Sequence, residues 1–206
     1  MRSLATVTAT RLVYEQTPEE FQFETHKAKA ILEDVIGFPV FSYRAASYSI
    51  TKESMWALQI LAEEGFKYDS SIFPIAHDRY GIPNAARHPF RAKLSDGMEL
   101  IEFPLSTIKI LGMNIPIAGG GYFRLFPYVF TRAAIRHLNQ KDKLPLIFYL
   151  HPWEFDPEQP TQAVEGLSRF RHYLNLHKTE SRFDQLLSDF SFMPLTSVAA
   201  TLQFES

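Results

Sequence analysis

The sequence predicts an α/β fold built on a parallel sheet, and two observations carry this prediction. Short apolar runs are each followed by polar or ionisable residues, and segments with helical spacing of apolar residues separate these runs. This alternation of strands and helices is typical of parallel sheets and barrels, whose ligands lie beyond the carboxyl ends of the strands. A chain of 206 residues that is 46% hydrophobic can bury one sizeable core, so one domain is expected.

Composition excludes several classes of function. The formal net charge of -2 predicts no surface for nucleic acid or for an anionic membrane. The absence of Cys excludes thiol catalysis, thiolate metal sites and disulfides. No run of about 18 apolar residues is present, so no membrane span is expected. Residues 1–10 lack the apolar segment of a secretory signal, and a cytoplasmic location is therefore expected.

The first half of the chain contains helix signals and two short strands. Thr17 is a predicted N-cap that forms a capping box with Glu20, and Gly37 ends the helix. Strand, helix and strand then follow, with polar residues after each strand. These three elements are predicted at residues 39–43, 51–64 and 66–68.

The second half begins with a long irregular segment over residues 72–96, which is rich in Pro and charged residues and typical of a functional or mobile loop. Strands and helices are predicted beyond it. The strands are at residues 98–110, 113–118 and 145–150, the helices at 126–139, 164–176 and 179–190, and a strand-like or frayed segment at 195–202.

The run over residues 146–150 has five consecutive apolar residues without alternation, which predicts a central strand buried on both faces. Such a strand would place His151, Trp153 and Glu154 at its carboxyl end, where α/β folds bind ligands. The alternative is that His151 is a core histidine with its hydrogen bonds satisfied and that Trp153 only packs.

Three glycines, Gly119, Gly120 and Gly121, precede Tyr122. No Lys-Ser or Lys-Thr follows them, so they do not form a phosphate-binding P-loop. They predict a close backbone approach to a ligand or a neighbouring chain, and the alternative is a flexible turn. Four other histidines lie at polar helix positions and are expected at the surface, namely His26, His137, His172 and His177.

Five segments together resemble the polysaccharide deacetylases of the NodB-homology type, in the subfamily associated with exosortase exopolysaccharide loci. They are YRAASYSI at 43–50, YDSSIFP at 68–74, HDRYGIP at 77–83, GGGYFR at 119–124 and LHPWE at 150–154. The resemblance covers residues 11–192. It implies a distorted (β/α) barrel, here incomplete and lacking its first strands, and a metal-dependent hydrolase that removes acetyl groups from N-acetylated polysaccharide.

The resemblance also implies roles for individual residues. His151 matches the general acid that protonates the leaving amine. Arg44 matches the arginine that orients the catalytic base, although the Arg-x-Pro pattern here reads Arg44-Ala45-Ala46. Asp69 matches the acid that hydrogen-bonds the catalytic histidine, and a carboxylate there would raise the imidazolium pKa. The alternative for Asp69 is a turn residue. The expected sugar-stacking surface is Gly120, Gly121, Tyr122 and Trp153.

The family's metal-binding half has no counterpart in this sequence. Its base and metal-ligating aspartate belong to a strand that would precede Met1, and its two metal histidines fall at Thr6 and Thr10. Threonine cannot replace a neutral imidazole as a ligand for zinc or a similar divalent metal. We therefore expect this chain to bind no metal and to show negligible deacetylase activity alone. The pair His77-Asp78 is no substitute, since adjacent loop residues rarely converge on one ion.

Three functions remain open. The chain is the carboxyl part of a deacetylase by descent, a non-catalytic carbohydrate- or partner-binding fragment, or one half of a split enzyme that an amino-terminal fragment encoded upstream completes. Glycan binding without turnover favours the second function. Acetate release after co-expression of both fragments favours the third.

The genetic code offers a hypothesis for the origin of residues 1–10. Codons can be chosen for them so that the shifted frame reads Glu-Val-Ala-Ser-His-Gly-Tyr-Ser-His, a segment typical of the family that ends directly before Arg11. We expect residues 1–10 to be an out-of-frame start and residues 11–206 to be the carboxyl-terminal part of a single deacetylase domain. Genomic codons that cannot encode His in the shifted frame at positions 6 and 10 would contradict this expectation.

Overall fold

The computed structural model describes residues 11–77, 79–159 and 173–202. The chain divides into two compact units. Met1–Leu105 and Pro194–Ser206 belong to the first unit, and Ser106–Met193 form the second unit. Both helices and strands are present, which confirms the predicted mixed α/β class.

A four-stranded sheet forms the centre of the first unit. Its strands are β1 (Ser42–Tyr43), β2 (Tyr68–Asp69), β3 (Phe90–Arg91) and β4 (Ile101–Glu102), in the order β1-β2-β4-β3. The pairs β1-β2 and β2-β4 are parallel, whereas β3 is antiparallel to β4. Helix α2 (Trp56–Glu63) connects β1 to β2, so the predicted strand-helix-strand unit is confirmed.

Helix α1 (Pro18–Ile36) begins and ends where the sequence predicts. Thr17 Oγ1 accepts a hydrogen bond from the Glu20 backbone N–H at 3.2 Å, and a Glu20 carboxylate oxygen accepts one from the Thr17 N–H at 2.9 Å. These two bonds form the capping box and satisfy donors at the helix start. Gly37 ends the helix with a φ of 74°, a left-handed conformation that glycine adopts readily.

Aromatic rings join α1, α2 and β1 in the core of the first unit. The buried ring of Phe21 meets Trp56 edge-on at 5.7 Å and Tyr43 at 5.9 Å between centroids. Tyr43 in turn meets Phe66 at 5.5 Å. Edge-to-face pairs of this kind add about 0.5–1.5 kcal/mol each beyond the burial of their area.

The predicted helix over residues 51–64 contains two pieces. A 3-10 turn over Lys52–Ser54 comes first, where Ser54 Oγ accepts a hydrogen bond from the Thr51 N–H at 2.9 Å, and α2 follows. Gly65, with a φ of 80°, ends the second piece as predicted.

A β-hairpin opens the second unit. Strand β5 (Thr107–Ile110) pairs antiparallel with β6 (Met113–Pro116). Leu111 and Gly112 form the turn with φ values of 48° and 82°, and two positive φ values are the mark of a tight hairpin turn. The single strand predicted over 98–110 is therefore two strands, β4 and β5.

Three helices of the second unit follow. They are α3 (Gly120–Leu125), α4 (Tyr128–Gln140) and α5 (Thr179–Asp189). Predictions for α4 and α5 are confirmed within two residues at each end, whereas α3 was not predicted. Most of the helix predicted over 164–176 lies outside the described residues.

Two sequence predictions are wrong. Residues 145–150 are half-buried and form a single isolated parallel bridge, between Tyr149 and Gly119, instead of a strand buried on both faces. An apolar run shows that its side chains favour burial. It does not show whether other elements pack against one face of the strand or both. Residues 195–199, predicted as strand-like or frayed, form helix α6 (Leu195–Ala199), which begins after Pro194.

Within the described part of the chain, no helix combines the length and the apolar character that a membrane crossing requires.

Candidate functional site

Arg44 lies directly after β1 in the first unit and contacts the turn that follows β2. Its Nε donates a hydrogen bond to the Ser70 carbonyl oxygen at 3.0 Å, and its Nη2 donates one to Ser70 Oγ at 2.9 Å. Arg44 therefore holds together the loops that leave two neighbouring parallel strands.

The two serines after β2 extend this network. Ser70 Oγ donates to the Phe103 carbonyl oxygen at 2.7 Å, which ties the turn to the end of β4. Ser71 Oγ accepts from the Ala45 N–H at 2.8 Å and donates to Asp69 Oδ1 at 2.6 Å. Hydrogen bonds thus link the carboxyl ends of β1, β2 and β4, where α/β proteins place their sites.

Asp69 and Glu102 form a buried pair of carboxyl groups. They stand opposite each other in the β2-β4 register, and both are fully buried. Glu102 Oε1 accepts a hydrogen bond from the Ile72 N–H at 2.9 Å. The side chains of Asp69 and Glu102 also hydrogen-bond each other, which requires a proton on one of the two carboxyl groups.

Burial sets the protonation of this pair. It raises the pKa of Asp69, and burial together with the charge of Asp69 raises the pKa of Glu102 well above its ordinary value. Two neighbouring buried carboxyls do not both ionise, so Glu102 is the group that keeps a proton. Sequence reasoning missed Glu102, although a lone acid inside the apolar run over 100–105 is a signal that would have found it.

A second cluster surrounds His151 in the second unit. His151 is exposed, and the short 3-10 helix Pro152–Phe155 follows it. Glu154 is fully buried there: its Oε1 accepts from the His151 backbone N–H at 3.0 Å, and its Oε2 accepts from Arg124 Nε at 2.8 Å. The side chains of Arg124 and Glu154 are only 3% and 1% exposed, so this ion pair is shielded from water.

Arg124 connects this cluster to the rest of the second unit. Its Nη1 donates to the Leu174 carbonyl oxygen at 2.9 Å. Its own carbonyl oxygen accepts from Asn175 Nδ2 at 2.9 Å and from Arg182 Nη1 at 2.9 Å. The backbone position of His151 therefore depends on a buried charge that α3 supplies.

Two aromatic rings lie near the imidazole of His151. The His151 and Trp153 rings are nearly parallel, 10° apart in plane and 6.0 Å between centroids, and Tyr149 approaches His151 edge-on at 5.9 Å. The Arg124 guanidinium lies 5.2 Å from the Trp153 ring centroid, in cation–π contact. The structure thus brings together His151 and Trp153, two residues that the sequence predicts for the site.

Gly120 and Gly121 begin helix α3 and Gly119 is its N-cap, so the three glycines form a helix start and not the flexible turn that was the alternative. A Cβ on Gly119, whose φ is 113°, would collide with the Tyr149 carbonyl oxygen, and one on Gly120 would lie 2.8 Å from Tyr149 Oη. The close approach is therefore to Tyr149 of the same chain. Gly121 has open space around its Cα, and Tyr122 is half-buried. Their part in substrate binding stays a prediction.

The first unit also has an open cleft of about 580 Å³. Most of its lining comes from loops after β1 and β2, on the carboxyl side of the sheet. The lining combines rings with polar groups, including Tyr14, Thr51, Glu53, His77, Arg79 and Tyr80. The rings of His77 and Tyr80 stack at 3.8 Å and 7°. Clefts that combine aromatic faces with hydrogen-bonding groups suit sugar ligands.

The predicted site residues lie in different units. Arg44 and Asp69 belong to the first unit, whereas His151, Trp153 and the three glycines belong to the second. Asp69 hydrogen-bonds Ser71, and its predicted role in tuning His151 stays a prediction. Of the histidines expected at the surface, His26, His137 and His177 are exposed as predicted, and His172 lies outside the described residues.

Metal ligands are not grouped in the described residues. No three His, Asp or Glu side chains in ranges 11–77, 79–159 and 173–202 could hold one ion. These side chains therefore do not fit the divalent-metal site that the resemblance implies.

Because Glu102 is protonated in the folded chain, we expect the free energy of unfolding to depend on pH. Because its pKa is raised in the folded state, the folded chain keeps a proton that the unfolded chain loses above about pH 4.5, and stability falls as pH rises from there. Glu102→Gln should remove most of this slope and raise the free energy of unfolding at pH 8. Urea unfolding at pH 5 and pH 8 measures it. The control Glu99→Gln, at an exposed position, should keep the wild-type slope, and equal slopes in wild type and Glu102→Gln would contradict the assignment.

The buried ion pair predicts strong coupling between its two residues. Arg124→Met leaves the Glu154 carboxylate buried without its partner and should cost about 3–5 kcal/mol of unfolding free energy. Arg124→Met combined with Glu154→Leu should cost clearly less than the sum of the single changes. Arg132→Met is the control, since its pair with Asp189 is partly exposed and worth about 0–1 kcal/mol. Additive costs in chemical unfolding would show that the pair does not act as a unit.

Comparisons with known proteins give the family and the fold. The family model described as "Domain of unknown function (DUF3473)" matches residues 70–200. The fold matches the crystal structure of a "putative polysaccharide deacetylase" from Mycobacterium smegmatis with a TM-score of 0.55 and 14% identity, over 98% of this chain. This chain spans 64% of the length of that protein. No curated protein matches significantly. The chain therefore belongs to the DUF3473 family, and its fold is like that of the Mycobacterium smegmatis protein.

Proposed function

We propose that this chain takes part in the deacetylation of N-acetylated polysaccharide in exopolysaccharide metabolism. The reaction class is hydrolysis of the acetamido C–N bond by water, which yields acetate and a free sugar amine. The observation that carries the proposal is the likeness in fold, along 98% of this chain, to a protein described as a "putative polysaccharide deacetylase". The resemblance of five sequence segments to the exosortase-associated subfamily supports the same class and narrows the glycan to exopolysaccharide.

His151 is the proton donor in this proposal. When the C–N bond breaks, the sugar nitrogen takes a proton from the imidazolium form of His151 and leaves as a neutral amine, and His151 becomes neutral imidazole. Two features support the role. The imidazole is exposed, so a ligand can reach it, and the backbone N–H of His151 donates a hydrogen bond to the buried Glu154. A donor whose backbone is fixed from the buried side loses little conformational freedom when substrate arrives.

Arg44 and Asp69 act by shaping the carboxyl ends of the parallel strands. Arg44 donates a hydrogen bond to Ser70 in the turn after β2, and Asp69 accepts a hydrogen bond from the Ser71 hydroxyl. Neither side chain needs to touch the reacting bond for this task. Their substitution is expected to disturb glycan binding through the loops that form the cleft.

The cleft of the first unit is the proposed glycan-binding surface. A sugar ring presents an apolar face and a rim of hydroxyls, which aromatic rings and charged side chains complement. His77 and Tyr80 supply the rings, and Glu53 and Arg79 supply hydrogen-bonding groups. This feature equally supports the second candidate function, a carbohydrate-binding domain without turnover.

Turnover by this chain alone is not part of the proposal. In the intact family a divalent metal supplies the activated water, and the described residues bring no ligand set together for it. A proton donor without an activated nucleophile lacks the main source of rate. We propose that an amino-terminal fragment encoded upstream is the partner that would complete the enzyme.

The experiment measures binding and turnover in the same samples. The purified chain is titrated with an N-acetylglucosamine tetramer by NMR, and acetate is assayed with and without added zinc. We expect saturable binding without acetate above the blank. His77→Ala should weaken binding about tenfold, because it removes one ring of the stack. His177→Ala is the matched control, an exposed histidine of the second unit, and should bind like the wild type.

Each function has its own contradicting result. Absence of glycan binding at millimolar tetramer overturns the proposed substrate class. Acetate release that His151→Ala abolishes would support the deacetylase and contradict the inactivity of the single chain. Acetate release that survives His151→Ala would instead contradict His151 as the donor. Release that appears only after co-expression with the amino-terminal fragment favours the split enzyme.

A further inference from the structure

Helix α1 has one buried face and one exposed apolar face. Phe21, Thr25 and Ala28 are buried, and Phe21 packs against α2. The opposite face leaves large apolar side chains in solvent: Phe23 is 68% exposed, and Ile31 is 51% exposed. Large apolar side chains that are exposed on the same side of a helix can contribute to an interaction surface when further residues on that side extend it.

We define the α1 stripe as Phe23, Lys27, Ile31, Asp34 and Phe38. Spacings of four, four and three residues place the first four of these on one side of a helix with 3.6 residues per turn. Phe38 follows the helix directly after Gly37 and is 65% exposed. The stripe therefore runs along most of the 19-residue helix.

The two charges of the stripe differ from other charges of α1. Lys27 and Asp34 are exposed, and neither forms an ion pair within the described part of the chain. Several other ionisable groups of α1 are paired at short distance, as in Glu20 with Arg11 at 3.1 Å, Lys29 with Glu33 at 3.0 Å and His26 with Glu64 at 2.8 Å. An unpaired cation and an unpaired anion thus lie on the same exposed face.

The stripe is symmetric along the chain. The midpoint between Lys27 and Asp34 falls between residues 30 and 31, and so does the midpoint between Phe23 and Phe38. A face whose charges and rings are arranged about one midpoint is complementary to a second copy of itself that runs in the opposite direction. That is the arrangement of an isologous, two-fold interface.

We propose that the α1 stripe binds the α1 stripe of a second copy of this chain, antiparallel about a two-fold axis beside residues 30 and 31. Lys27 then faces Asp34 of the partner subunit, and Phe23 faces Phe38 of the partner subunit. Ile31 buries its side chain beside the axis, and Val35, which is 75% exposed and lies one helical turn beyond Ile31 next to the stripe, buries its side chain further along the interface. A parallel pair would place each charge against its own copy, which the antiparallel arrangement avoids.

The apolar side chains supply the affinity and the charges set the direction. Burial of four exposed apolar residues from each copy drives association, and the two identical ion pairs favour one register over others. Because one helix from each copy forms the interface, it is small, and the dimer is in exchange with the monomer.

Sedimentation equilibrium of the full chain over a range of concentrations tests the charge pairing. Lys27→Asp and Asp34→Lys each place like charges in contact across the axis and should raise the dissociation constant about tenfold or more. The double variant Lys27→Asp with Asp34→Lys should return it to within about threefold of the wild type. An equimolar mixture of the two single variants should form a heterodimer tighter than either homodimer.

The apolar part has a matched pair of variants. Ile31→Glu should give a monomer, whereas Leu187→Glu, at an α5 position that is 50% exposed against 51% for Ile31, should dimerise like the wild type. All variants change exposed residues, and unchanged thermal unfolding shows that they fold. A wild type that stays monomeric at every concentration overturns the proposal. A dimer that tolerates both Lys27→Asp and Ile31→Glu, or single variants that the double variant does not rescue, also overturns it.

Discussion

The pairing of β2 with two parallel neighbours is the constraint on which the first unit depends. It brings the ends of β1, β2 and β4 to one edge, where Arg44 and the serines after β2 tie the loops together. The same register sets Asp69 against Glu102 in a fully buried place. A proton on Glu102 removes the repulsion that two buried charges would otherwise create. This edge of the sheet is therefore more stable when Glu102 is protonated.

The second unit achieves local order by a different interaction, a buried pair of opposite charges. Arg124 and Glu154 are almost fully shielded, and Glu154 also accepts the N–H of His151. Desolvation makes such a pair a weak source of stability. The ion pair instead fixes the position of Glu154, and this in turn sets the positions of the exposed His151 imidazole and of the Trp153 ring beside it.

These two arrangements correspond to the two parts of the proposed function. The first unit has the cleft proposed to bind the glycan, and the second has His151, the proposed proton donor. Ligands for a metal are not grouped among the described side chains, so the proposed chemistry stops at binding and proton donation. The exposed side of α1 is unrelated to either arrangement. Its charges and apolar residues form the surface that we propose to bind another copy of the chain.

The sequence alone determined the features that depend on neighbouring residues. The capping box at Thr17 and the helix stop at Gly37 were predicted correctly because capping needs only residues within one turn. The strand-helix-strand unit around α2 was predicted because apolar spacing reports helices and strands directly. His151 was placed at the end of an apolar run by the same local reasoning. The tertiary structure alone decided everything that depends on partners distant in the chain. Residues 145–150 are half-buried, because burial of a strand depends on elements that are distant in the chain. Gly119 and Gly120 approach Tyr149, about thirty residues away, which local sequence does not reveal. Glu102 and Arg124 acquire their importance only from Asp69 and Glu154, since the energy of a buried charge is set by what surrounds it.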